Sequence, residues 1–224
     1  MRQKFDLRKG RQMFDEKSIA PGLAELGYLR LKKRTFKASW SSADVEHFLF
    51  LSLHSGGHYF TCDFGIRNPP AERFALECLK LYGGPFFQTA RFEPPRYRCS
   101  MRFSLGRLAG WGFRSSLTIS DMSEVALADK VKSDVRDHLL PAVRSILAPA
   151  VLFSLLIKDV EPCRWLGVSG ALRSAIIVYL GRRMGIETRE LESMLQPHLR
   201  DIIGGVQRGV APSFFLSEVL REAN

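Results

Sequence analysis

Two β-rich runs, Val45–His54 and His58–Ile66, flank the tripeptide Ser55-Gly56-Gly57, and this arrangement constrains the fold more than any other feature of the chain. A short glycine-containing loop between two such runs is the signature of a β-hairpin. Pairing His54 with His58 predicts Phe50 opposite Cys62 and Phe48 opposite Phe64. One face then carries Phe48, Phe50, Phe60, Cys62 and Phe64, and the other carries Leu49, Leu51, Leu53 and Tyr59. A hairpin apolar on both faces cannot lie on a surface. It must sit centrally in a sheet, with further structure above and below.

The segments around it supply both. Asp15 to Leu26 has helical spacing, interrupted by Pro21-Gly22, and Tyr28–Trp40 switches to a period of two. That second segment reads as one strand with Arg30, Lys32 and Arg34 on one side and Lys33 and Lys37 on the other, which places it at a sheet edge. Asn68-Pro69-Pro70 breaks the chain before a helix over Ala71–Tyr82, and Tyr97–Leu105 alternates as a half-buried strand with arginines outward. Phe113–Ile119 reads as a further short strand.

Beyond Ile119 the period is helical. Asp121 and Glu124 fit a variant capping box, and the helix they open bends or ends near Pro141. Helices follow over Val143–Val160, over Arg164–Arg183, from a Thr188 cap, and over Ser213–Glu222. The expected class is α+β: a mostly antiparallel sheet with flanking helices in the N-terminal half, then a helical C-terminal half. Residues 1–119 form the basic sheet region and residues 120–224 the helical region, packed as one unit with it.

The chain holds ten more basic than acidic residues, and they are segregated. Residues 1–37 carry +7, residues 38–63 carry −3, residues 64–114 carry +6, and residues 115–224 carry zero. Such asymmetry points to an acidic partner for the first half; a surface that merely favours solubility is the alternative. Met1–Gly10 is basic with no apolar stretch after it, so no secretory signal is expected, and Ala148–Ile157 is too short and too interrupted to span a membrane. Cys62, Cys78, Cys99 and Cys163 lack paired spacing, which predicts free thiols in a reducing cytoplasmic setting.

No catalytic or phosphate-binding signature is present, and no cofactor is expected. His54 and His58 flank the hairpin tip and could share a metal. Zinc wants three or four ligands, and Cys62 lies further along the ladder with Asp63 pointing away, so a solvent-exposed turn and no metal is the expectation. Asp44 and Glu46 lie beside His47, but alternation puts them on opposite faces. Cys99 lies between arginines yet points to the apolar side, as a buried inert thiol does.

The remaining candidate is a binding surface: Arg30, Lys32, Lys33, Arg34 and Lys37 on the first strand, and Arg96, Arg98 and Arg102 on a later one, with Arg91, Arg107 and Arg114 nearby. Phe36, Trp40, Phe92, Tyr97 and Trp111 are interleaved with them. Cations beside aromatic faces can hold a phosphate backbone and stack bases, or meet an acidic protein. The expected function is therefore non-catalytic binding of an acidic protein or a nucleic acid. An enzyme with its site dispersed in sequence is the alternative.

Leu26-Gly27-Tyr28 followed by Lys32-Lys33-Arg34-Thr35-Phe36, and the strand Tyr59–Ile66, resemble segments of an uncharacterised bacterial family of small α+β proteins. Its members carry "LGF-basic-x-x-F" after a first helix and an "FTVNLGI"-like strand; Leu140-Pro141 and Tyr179–Arg182 sit where its helical tail would lie. The resemblance implies the fold and no activity.

Overall fold

The structure, a computed structural model, describes residues 18–54, 59–83, 99, 101–119, 122–158, 170–198 and 210–223. In chain order the elements are α1 (Ile19–Glu25), β1 (Tyr28–Lys32), β2 (Thr35–Ala38), β3 (Glu46–His54), β4 (Tyr59–Arg67) and α2 (Pro69–Tyr82). Then come β5 (Met101–Ser104), the single turn α3 (Leu105–Leu108), β6 (Leu117–Thr118), α4 (Glu124–Asp134) and a π turn over Val135–Leu139. The last are α5 (Leu140–Val143), α6 (Pro149–Lys158), α7 (Gly170–Arg183), α8 (Thr188–Leu195) and α9 (Pro212–Glu222). The chain is α+β, with an antiparallel sheet in its N-terminal half and mostly helices in its C-terminal half. It divides into two compact units, Met1–Ile66 with Arg102–Ser145, and Arg67–Met101 with Ile146–Asn224.

The first unit is built on the sheet. Among the described residues its strands run in the order β1-β2-β3-β4-β5, with β6 paired to β4, so the hairpin strands β3 and β4 are central. The expected single strand over Tyr28–Trp40 is instead two. The chain reverses at Lys33-Arg34, where Arg34 takes a left-handed φ of 62°. Tyr28 pairs with Ala38, Leu29 with Lys37 and Arg30 with Phe36, and then a bulge shifts the register so that Lys32 meets Thr35. Because Phe36 and Thr35 are neighbours on β2, the bulge puts Arg30 and Lys32 on opposite faces, where simple alternation predicted one.

The face assignment of the hairpin is also corrected. Phe64 lies against His47 (5.5 Å between ring centroids) and Phe103 (5.0 Å), not opposite Phe48. His54 shares a face with Thr61, whose Oγ1 is 3.0 Å from its Nε2. Phe60, Cys62, Phe64 and Ile66 therefore join His47, Leu49 and Leu51 in one layer, all buried. The opposite face carries Phe48, Phe50, His54, Thr61 and Asp63. A shift of one residue in pairing moves every side chain to the other face, and a strand apolar on both sides offers no pattern to prevent that error.

Helices α1 and α4 pack together in this unit. Ile19 and Leu23 are buried on one, and Leu127 and Val131 on the other, with Val135, Leu139 and Val143 continuing the stripe at steps of four. The cap of α4 is Ser123, whose hydroxyl accepts from the Ala126 amide (3.1 Å); Asp121, the expected cap, lies outside the described residues. The helix does not stop before Pro141. It widens into the π turn, with the Leu140 amide donating to the Val135 carbonyl, and then resumes. Proline removes one helical hydrogen bond and crowds the carbonyl four residues back, and a widened turn relieves both.

In the second unit α2 begins at Pro69 rather than Ala71. The Asn68 side chain accepts from the Ala71 amide (3.0 Å), and both prolines occupy first-turn positions where no amide is needed. Helix α7 is the hub. It packs on α2, where Phe74 meets Tyr179 (5.4 Å), and on α6, α8 and α9. Open carbonyls at the end of α6 are taken by Arg173, 3.0 Å from Leu156 O, and by His198, 3.0 Å from Ile157 O. Cys62, Cys78 and Cys99 are free and buried.

Candidate functional site

Of the eight cations expected to form a binding surface, the structure groups four, withdraws two, and leaves Arg96 and Arg98 outside the described residues. The grouped four belong to the β1–β2 hairpin. Arg30, Lys32 and Lys33 are exposed and Arg34 is half-buried. Two leucines interrupt them on the edge strand, Leu29 at 56% and Leu31 at 41% exposure.

Lys37 and Arg102 are the two withdrawn, because each is committed to a carboxylate within the first unit. Lys37 Nζ lies 2.6 Å from Glu46 Oε1, and 5.9 Å from the centroid of the Phe48 ring. Arg102 lies 3.0 Å from Asp63 Oδ2, with its guanidinium 4.5 Å from the Phe50 centroid. Phe48 and Phe50 stack at 6.1 Å, so two ion pairs cover one aromatic pair. These contacts neutralise and immobilise both cations. They hold the polar face of the sheet together rather than leave charge available to a ligand. Arg107 and Arg114 are exposed but lie at α3 and in the loop after it.

Burial tunes Asp63. It raises the carboxyl above its ordinary 3.8, while Arg102 and then His54 pull it back down. The folded acid thus holds its proton more tightly than the unfolded one, so this group's contribution makes stability fall as pH rises from 3.8 through the folded value. Asp63→Asn abolishes the titration, and that part of the pH dependence should disappear. Urea midpoints taken from pH 3 upward for both proteins read this directly, and identical slopes would overturn it.

The interleaved aromatics are not where stacking on bases needs them. Phe36 is fully buried and Trp111 is 8% exposed. Trp40 packs against the His47 ring at a tilt (4.6 Å between centroids) and meets Tyr28 edge-on (5.8 Å), which makes it part of the layer that includes Phe64. Phe92 and Tyr97 lie outside the described residues. Burial also raises the Tyr28 hydroxyl and the Cys62 thiol, and pushes the Cys78 thiol up to about 12, so these groups stay protonated and unreactive. Cys99 is buried, as expected. Asp44 is exposed and Glu46 faces Lys37, away from the buried His47. Among the described residues no three histidines, cysteines or carboxylates are grouped to hold a metal.

A polar cluster that sequence reading missed lies in the same unit. Asp134, 4% exposed, accepts from the Trp111 indole (2.7 Å) and from Lys130 (2.9 Å), with His138 Nε2 3.9 Å from the same carboxylate. Trp111 also touches Phe60 (6.2 Å), so it ties the buried face of the sheet to α4. Asp134 falls where α4's buried stripe calls for an apolar residue. That was the available signal, and Trp111 is the donor that satisfies it. The Trp111 indole N–H is spent on Asp134, which makes the contact a latch between a loop and a helix. No family model, curated protein or solved structure matches the chain.

Proposed function

We propose that this is a non-catalytic binding protein that engages an acidic macromolecule through the basic hairpin Tyr28–Ala38. The observation that carries the reading is the clustering of Arg30, Lys32, Lys33 and Arg34 within five residues at one edge of the sheet, the first three of them exposed. Charge kept only for solubility has no need of such segregation, whereas a face that meets acid does. The reading carries with it a reducing, cytoplasmic setting, which the three buried free thiols support, and kinship with the bacterial α+β family that the Leu26–Phe36 segment resembles. Among the described residues no helix is long and apolar enough to cross a membrane.

Two triple charge reversals of equal size test it. One changes Arg30, Lys32 and Lys33 to Glu. The other changes Lys158, Arg183 and Arg189, which are also exposed. Each lowers the net charge from +10 to +4, so a non-specific effect is the same in both. Binding to oligoglutamate, measured by anisotropy at low salt, should weaken at least about tenfold in the first variant, roughly 1.4 kcal/mol. The second should stay within about threefold of the parent. Equal losses would reduce the basic hairpin to a solubility feature.

A further inference from the structure

The leucines of β1 say more about the partner than the cations do. Seven large hydrophobic side chains are exposed among the described residues: Leu29, Leu31, Leu81, Val125, Val151, Met184 and Phe214. Single exposed apolar residues are ordinary on protein surfaces. Leu29 and Leu31 differ because they stand two positions apart, on an edge strand, with Arg30, Lys32 and Lys33 around them. Cations and a bulge at a sheet edge are devices that keep copies of a protein from pairing edge to edge. Leucines do not serve that purpose, since polar residues at both positions would blunt the edge better. A surface meant only to repel its own copies therefore leaves the leucines unexplained.

The local geometry puts cations on both faces of this edge, Arg30 on one and Lys32 with Leu29 on the other. Leu29 pairs with Lys37, which is turned onto Glu46, while Arg30 pairs with Phe36 on the other face. The bulge at Leu31 then sets Lys32 beside Thr35. A ligand lying along this strand meets apolar surface at two points, with cations between and after them. A nucleic acid would offer phosphates to the cations, but its bases would find leucines instead of aromatic planes, because Phe36 and Trp111 are buried and Trp40 is packed against His47.

We infer that the β1 edge docks a protein segment in which acidic and aliphatic residues are interspersed, the carboxylates meeting Arg30, Lys32 and Lys33 and the aliphatic side chains covering Leu29 and Leu31. This rests on the proposed function and specifies its partner. Carboxylates supply charge complementarity, and the leucines supply the short-range apolar burial that discriminates among acidic ligands.

Three probes decide the matter: the peptide Glu-Leu-Glu-Leu-Glu-Leu-Glu, its equal-charge counterpart Glu-Ser-Glu-Ser-Glu-Ser-Glu, and an oligothymidine of similar length. The full chain should bind the leucine peptide about tenfold more tightly than the serine peptide. The double variant Leu29→Ser, Leu31→Ser should erase that preference and leave binding of the serine peptide unchanged. Both positions are exposed, so the variant should fold as the parent does, and its circular dichroism and denaturation midpoint will verify this. Equal affinity for the two peptides, or a preference that survives the double variant, overturns the apolar docking and leaves the basic hairpin's attraction to acid intact. Tighter binding of oligothymidine than of either peptide overturns it in favour of a nucleic acid. If none of the three probes binds at low salt, both the docking and the proposed function on which it rests fail together.

Discussion

Phe64→Ala should destabilise the protein by about 3–5 kcal/mol, the range for deleting a fully buried aromatic side chain. Phe64 is fully buried on β4 and its ring meets both His47 and Phe103, so truncation opens a cavity between a residue of β3 and one of β5. Neither neighbour can collapse into the gap without dragging its own strand. The contrast with Phe50 sharpens the test. Sequence pattern makes Phe50 and Phe64 equivalent, two phenylalanines of one apolar face. In the structure Phe50 is half-buried on the other face beneath Arg102, so Phe50→Ala should cost clearly less than Phe64→Ala. His54→Ala, at an exposed position with one hydrogen bond to Thr61, should cost under about 1 kcal/mol. Urea denaturation with unchanged m-values ranks the three. A Phe50 variant as unstable as the Phe64 variant would mean that the face assignment is wrong.

That ranking marks the limit of what the sequence made legible. The hairpin, its central place in the sheet, the helical second half and the α+β class all follow from period and turn chemistry. The register of the hairpin does not. Strand β4 alternates, with Phe60, Cys62, Phe64 and Ile66 on one side, but β3 is apolar at odd and even positions alike, so its pattern does not say which of its faces joins that side. The turn at Lys33-Arg34 was hidden for a different reason. No glycine, asparagine or proline marks it, and a non-glycine residue at φ 62° carries no sequence signal, so one strand was expected where the chain makes two.

The candidate site was legible in the same uneven way. The cations of the hairpin stand out by composition, and their exposure follows from the edge position. Which cations are already spent depends on contacts made in three dimensions. Lys37 meets Glu46 nine residues away and Arg102 meets Asp63 across 39, and no local period relates either pair. The exposure of Leu29 and Leu31 is of the same kind. It follows from the bulge and from the strand order, neither of which the alternation of Tyr28–Trp40 contains.

Gly106→Ala should cost about 3 kcal/mol, at the upper end for forcing an extra carbon into packed structure. A Cβ on Gly106 would lie 2.0 Å from the Ser115 carbonyl oxygen, 2.7 Å from its carbon and 2.7 Å from Trp111 Cε3. Two of these are backbone atoms, so no side-chain rotation relieves the clash, and the loop itself must move. That loop has little freedom to give. Arg114 and Ser115 already hold left-handed φ values of 53° and 57°, a conformation that persists only where surrounding contacts enforce it. Among those contacts are the Ser115 amide to Gly112 O (3.1 Å) and the Trp111 indole to Asp134 (2.7 Å). Displacing the loop should therefore also loosen Trp111 from Asp134 and leave a buried carboxylate short of a donor. Gly110→Ala is the control. Gly110 has a φ of 68°, and no atom lies within 4 Å of where its Cβ would stand, so alanine there meets backbone strain alone, about 1–2 kcal/mol, and leaves the latch closed. Denaturation midpoints give the two costs, and the tryptophan near-ultraviolet dichroism should change in the Gly106 variant and persist in the Gly110 variant. A Gly106 variant within about 0.5 kcal/mol of the parent, the ordinary range for an inconsequential substitution, would show that the loop does not approach α3 this closely.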